Sequence, residues 1–220
     1  LGIRLQCAEC HDHPFDTWTQ ANYRSMTEFF GQLGDKEGPF DPYGREIRRF
    51  IKPELRVPWR SGERVELVHL DGSRVQVPLA SDRREALVDW MFGPGRRMAS
   101  RAIVNRVWGR MLGRGIVEPV DDMRFNNPAV NEPLLTALAE DLVAADWDLK
   151  HLLRTIARSR TYQHSSIPNE SNRHQRVNFS HGRLRRLGAE QLADSLSRVT
   201  GVDESYRVGP PGLRAVHVPY

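Results

Sequence analysis

Two cysteines occur in the whole chain, and both lie in five residues: Cys7-Ala8-Glu9-Cys10-His11. No thiol remains for a disulfide framework, so any larger structure must be held by its own apolar core. The C-x-x-C-H spacing is that of covalent haem c attachment. Two intervening residues let one short turn offer a thiol to each of two vinyl groups on neighbouring pyrroles. The adjacent imidazole then falls beneath the iron as its axial ligand. Cys7, Cys10 and His11 are therefore the cofactor-binding candidates, with His11 proximal to the iron. Three other chemistries fit the same residues. Cys7, Cys10, His11 and His13 form a compact Cys/His set for zinc or another transition metal, with His13 a candidate ligand in its own right. A redox dithiol is a second alternative, although Pro14 and the absence of a βαβ pattern speak against a thioredoxin-like context. A disulfide across two residues is a third, and it closes too small a loop to stabilise much.

A chain of 220 residues, 39% hydrophobic and 27% charged, can bury a core without staples. No apolar run nears the roughly 18 residues of a membrane span. The formal net charge is +4, with 32 basic residues against 28 acidic ones. That balance, without a concentrated basic stripe, gives no reason to expect nucleic-acid binding. Nearly all the cations are arginine, with doublets at Arg48-Arg49, Arg83-Arg84, Arg96-Arg97 and Arg185-Arg186. These are ordinary solvated helix faces or forks that hold carboxylates. Leu1-Gly2-Ile3-Arg4 carries no initiator Met and no signal pattern, so a targeting signal is expected upstream.

Periodicity predicts a mainly α chain. Leu1–Gln6 reads as the last turn of a helix and residues 7–18 as a compact loop. Thr19 then caps a helix whose stripe is Tyr23, Met26, Phe29, Phe30 and Leu33, with Gly34 as its stop. The stripe suits a core, and also the apolar wall a haem needs. Met26 is the thioether closest to the motif, though a helical Met is usually core. Residues 34–60 read as a long loop. Arg64–His69 and the run through Val75 and Val77 flank Asp71-Gly72 as a small β-hairpin.

About five helices follow. Ser81 caps the first, and Gly93-Pro94-Gly95 breaks it. The second carries Val104 and Trp108 and ends at Gly113. The third begins near Pro133, the fourth at Asp148, and the last runs from about Ala189 to Val199 between Gly188 and Gly201. Trp108, Leu138, Leu153 and Leu192 are expected in one helical core. The implied division is a cytochrome-c-like segment at 1–60, a hairpin linker at 61–80 and a helical domain at 81–220. Asn105, Arg106, Asp121, Asp122 and Arg124 read as an ion-pair network, since buried charges must be paired. His151, His164, His174 and His181 are candidates for the far side of an iron, the alternative being an open position.

The N-terminal words, Leu1-Gly2-Ile3-Arg4-Leu5-Gln6-Cys7-Ala8-Glu9-Cys10-His11-Asp12-His13-Pro14-Phe15-Asp16 with Trp18, Tyr23 and Phe29-Phe30, resemble the end of a planctomycete cytochrome-c-like domain. The second half resembles the companion domain of unknown function that usually follows it. The words carrying that likeness are Asn105-Arg106-Val107-Trp108, Gly113-Arg114-Gly115, Asp121-Asp122-Met123-Arg124, Asp148-Leu149-Lys150-His151-Leu152, Ser159-Arg160-Thr161-Tyr162-Gln163 and Arg185-Arg186-Leu187-Gly188-Ala189-Glu190-Gln191-Leu192. Two departures are a short linker between the halves and Gly188 where a capping Ser is usual. The resemblance implies an exported bacterial protein, periplasmic or at the cell surface, with one haem c site. Its expected role is electron transfer or a haem-dependent redox step, and its partner a redox protein or an upstream cytochrome module. The rival expectation is a non-haem, zinc-like Cys/His protein that acts as a hydrolase or as a scaffold binding extracellular anionic polymers. The resemblance implies no established reaction and leaves open whether the chain is an enzyme.

Overall fold

The computed structural model describes residues 1–37, 47–51, 64–79, 81–206 and 212–218. The chain is mainly helical, with α1 (Gln20–Glu28), α2 (Arg83–Phe92), α3 (Arg96–Leu112), α4 (Glu132–Ala144), α5 (Leu149–Arg158) and α6 (Ala189–Thr200). Among the described residues four short strands accompany them: β1 (Leu33–Glu37), β2 (Ile47–Ile51), β3 (Arg64–Val68) and β4 (Arg74–Pro78). β1 pairs with β2, and β3 pairs antiparallel with β4.

The β3–β4 hairpin is the expected one. Val65 faces Val77 and Leu67 faces Val75, so the alternating apolar residues share one face. The turn is closed by Gly72, whose φ of 82° lies in the left-handed region that glycine enters freely. β1 and β2 occupy positions expected to be loop. The long loop read over 34–60 otherwise falls largely outside the described residues.

The N-terminus departs from expectation in two places. Leu1–Leu5 form no helix, and a single 3-10 turn covers Gln6–Glu9. α1 also stops at Glu28, short of Gly34. Phe29 follows as its C-cap, still with helical φ and ψ, and is 1% exposed. Of the expected stripe, Phe29 and Met26 join the core, while Phe30 is 46% exposed. At the other end the cap is as read: Thr19 accepts from the Asn22 N–H, and the Asn22 side chain accepts from the Thr19 N–H.

Later helix boundaries follow their capping residues. Asp82, one residue after Ser81, caps α2; Asn131 caps α4; and Asp148 caps α5 through the N–H groups of Lys150 and His151. α3 ends at Gly113 and α6 at Gly201, both left-handed. Between α4 and α5, Asp146 and Trp147 both take positive φ, of 52° and 61°. The Trp147 N–H donates to the Leu142 carbonyl, and its ring meets Phe92 edge-on at 4.6 Å.

The chain divides into two units, residues 1–34 with 51–183, and residues 35–50 with 184–220. The first unit holds two cores. One joins Val104, Trp108 and Leu112 of α3 to Leu135, Leu138 and Leu142 of α4 and to Leu152 and Ile156 of α5. The other joins Phe29, Leu67, Val77, Leu87 and Trp90, with Leu1, Ile3, Leu5, Trp18 and Met26 packed against them. The N-terminal segment, the hairpin and α2 therefore share a single core.

The second unit is held differently. Within residues 184–206 and 212–218 only Ala215 is buried. Asp194 of α6 accepts from the Ala215 N–H and pairs with Arg214.

Trp108 and Leu138 are in the core as expected, but Leu153 and Leu192 are 42% and 48% exposed. On α5 the inward pair is Leu152 and Ile156, four residues apart, which turns Leu153 by 100° onto the flank. α6 belongs to the second unit and buries none of its residues.

Candidate functional site

The motif is built by one tight turn. The Ala8 N–H donates to the Leu5 carbonyl, and the Cys7 carbonyl accepts from the N–H groups of Cys10 and His11. Ala8 is fully buried and anchors the turn. Cys7 and Cys10 are unbridged and exposed.

α1 fastens the loop that follows. The Gln20 N–H donates to the Asp12 carboxylate at 2.8 Å, and the Gln20 side-chain amide donates to the Cys10 carbonyl at 2.7 Å. Burial and the nearby Glu9 charge raise the Tyr23 phenol above its ordinary value.

The imidazole of His11 is in the form a metal-binding histidine needs. Its Nδ1 lies 2.8 Å from the Asp12 carbonyl oxygen, which can only accept. The ring proton therefore sits on Nδ1, leaving the Nε2 lone pair free. His13 is engaged otherwise: its Nδ1 accepts from the Phe15 N–H at 3.1 Å, and its own N–H donates to the Trp18 carbonyl. It shapes the loop. Among the described residues no three His, Cys, Asp or Glu side chains are gathered as a metal ion requires, so Cys7, Cys10, His11 and His13 do not form a ready tetrahedral set. Two accessible thiols on one turn, beside an imidazole with Nε2 free, fit a haem held through its edge and its iron.

Two histidines of the second half, His151 and His164, are engaged elsewhere. His151 Nε2 lies 2.8 Å from the Asp141 carboxylate, and His164 Nδ1 donates to the Phe179 carbonyl. His174 is exposed and His181 half-buried. His69, not singled out by the sequence, is 6% exposed and stacked between Phe29 and Trp90 at centroid distances of 5.2 and 5.3 Å. Its ring nitrogens sit near Ser73 Oγ and the Ala86 carbonyl. The only hint in the sequence was its place one residue beyond β3.

The second cluster is structural. Asn105 is fully buried; its amide donates to the Val117 and Val120 carbonyls and its carbonyl accepts from the Val117 N–H. This clamps the loop after α3 onto the helix. Arg124 pairs with Asp122 at 3.0 Å and Arg4 with Asp121 at 2.7 Å, while the Met123 N–H donates to the Gly2 carbonyl. Loop, helix and N-terminal segment are thereby tied together. The hydrogen bond and charge of Arg4 hold the Asp121 carboxyl below the usual range.

Two family models match the chain. Residues 1–35 match PSCyt2, a protein of unknown function (DUF1549), and residues 83–217 match PSD1, a protein of unknown function (DUF1553). These are the planctomycete cytochrome-c-like domain and its companion domain. The second match covers more than half of the chain, and the chain belongs to the PSD1 family. No curated protein and no solved structure matches it. Among the described residues no helix is long and apolar enough to cross a membrane.

Proposed function

We propose that this chain is a c-type haem protein of the bacterial cell envelope whose role is electron transfer or a haem-dependent redox step. The observation that carries this is the Cys7–His11 turn, with both thiols exposed and His11 holding its proton on Nδ1. Each thiol would add across one vinyl group, sulfur to one carbon and hydrogen to the other, so that nothing is oxidised. His11 would supply the proximal imidazole, and its hydrogen bond to the Asp12 carbonyl would fix the ring and make Nε2 a stronger donor. When bound, the haem supplies one-electron chemistry at its iron.

The remaining residues position this site. Gln20 holds the motif loop to α1, and α2 shares a core with the N-terminal segment. Residues 1–60 then carry the redox group and the helical part over 81–220 supports it or docks a partner. That partner is a redox protein or a further cytochrome module, and the setting is an exported one.

The test is maturation in an export-competent host, followed by an intact-mass spectrum under denaturing conditions and a pyridine haemochrome spectrum. The expected result is a haem adduct that survives denaturation and disappears when Cys7→Ser and Cys10→Ser are combined. A chain recovered at its bare polypeptide mass, or an adduct that persists in the double variant, refutes the proposal.

A further inference from the structure

A pocket of about 400 Å³, open to solvent, lies where the turn between α2 and α3 meets the N-terminal segment. Its wall is mostly apolar and includes Ile3, Trp18, Trp90, Pro94, Met98 and Met123. All of them belong to the first unit. Sites for small molecules span about 300–1,000 Å³ and join such a wall to a few placed polar groups. The wall is held from behind. Trp90 is fixed by its N–H bond to Asp71 at 2.8 Å and by His69 stacked on its ring at 5.3 Å. Gly95 backs the same ring so closely that a Cβ there would come within 2.8 Å of it. Met123 is seated by its N–H bond to the Gly2 carbonyl. The pocket is therefore preformed.

Three charged side chains reach this lining: Asp71, Arg97 and Arg101. Two of them are already committed. Arg101 gives both terminal nitrogens to the Glu132 carboxylate, at 2.6 and 2.9 Å. The Asp71 carboxylate accepts from Ser73 and from Trp90. Arg97 differs. It is exposed, and among the described residues it has no hydrogen-bond or ion-pair partner, its charge acting on Glu132 only from a distance. It stands in the first turn of α3, where the helix dipole disfavours a cation, and four residues before a second arginine. The chain thus holds an unneutralised guanidinium at the mouth of an apolar pocket, against its local electrostatic preference.

We infer that this pocket binds a small apolar monocarboxylate, its body against Trp18, Met98 and Met123 and its carboxylate on Arg97. One open guanidinium fork matches one carboxylate. A dianion is disfavoured, because the Asp71 carboxylate shares the lining and Arg101 is already neutralised. A second groove lies on the other side of Arg97, between α3 and α4. It suits such a ligand less, since it carries the Glu140 carboxylate and its apolar lining is only Ala139, Val143 and Ala144. Binding is non-covalent. It is independent of the haem proposal, since Cys7, Cys10 and His11 do not line the pocket.

The experiment titrates the full chain with 4-phenylbutyrate by calorimetry, and with 4-phenylbutyramide as its uncharged counterpart. Nitrogen–proton correlation spectra follow the tryptophan indole signals during the same titrations. The acid should saturate one site per chain with a Kd below about 1 mM, and the amide should bind at least about tenfold more weakly. Arg97→Gln, a change at an exposed position, should reduce the acid to the affinity of the amide. Arg96→Gln should behave as wild type, because Arg96 lines the neighbouring groove and not this pocket. The Trp18 and Trp90 signals should move, and that of Trp108, in the other core, should not. Absence of saturable binding overturns the inference, as does equal binding of acid and amide. Trp18 and Trp90 signals that stay in place overturn it too. So does a loss in Arg96→Gln as large as that in Arg97→Gln, which would put the anion in the α3–α4 groove.

Discussion

His11 and His69 carry the same ring and meet opposite fates. His11 is exposed, with one nitrogen fixed by a carbonyl and the other free. His69 is buried between Phe29 and Trp90, where it serves the core. Beside it, the Asp71 carboxylate accepts from Ser73 and from Trp90 Nε1 at 2.8 Å. Burial by itself would raise the Asp71 carboxyl, but these hydrogen bonds outweigh it and hold it below its ordinary 3.8. A depressed folded value means that the contribution is complete above 3.8 and is lost as pH falls through the folded value. Asp71→Asn should therefore be less stable than wild type near neutrality, and the gap should close in acid below 3.8. Urea midpoints followed by tryptophan fluorescence across that range check this, and a gap independent of pH would disprove it.

The helix α5 shows how far an element can be read. Its start was legible because Asp148 is a good cap, and its amphipathic character was legible from its leucines. The phase of its buried face was not. Leu152 and Leu153 are adjacent and chemically identical, yet Leu152 is fully buried and Leu153 is 42% exposed. Leu152→Ala should cost about 2–5 kcal/mol, since it leaves a cavity among α3, α4 and α5. Leu153→Ala should cost about 1 kcal/mol, roughly half the transfer term of a fully buried side chain. Chemical denaturation of the two variants gives the comparison, and equal losses would contradict the observed phase. Helix α6 makes the same point more strongly. Leu192, Leu196 and Val199 recur at helical spacing, yet they are 48%, 55% and 86% exposed. Spacing announces an amphipathic helix without saying whether this chain covers its apolar side.

At the scale of the molecule, both cores are drawn from residues before Arg183. A chain ending at Arg183 should still unfold cooperatively on heating and keep its near-ultraviolet tryptophan signal; a broad, non-cooperative transition would refute this. What the sequence determined by itself was local. Caps at Thr19, Asp148 and Gly188, stops at Gly113 and Gly201, and the Asp71-Gly72 hairpin follow from the backbone preferences and hydrogen-bonding reach of single residues. The Cys7–His11 motif was equally legible, because its chemistry lies within five consecutive residues. Tertiary structure decided everything that depends on residues distant in the chain. It placed Phe29, just past the end of α1, in the core with Leu67 and Trp90, and it placed Asn105 beneath the loop carrying Val117 and Val120. It also gathered Trp18, Trp90, Met98 and Met123 around one pocket. The reason is physical: a cap or a turn is settled by its own few neighbours. A buried contact is settled by which distant surfaces exclude water together, and sequence spacing does not encode that.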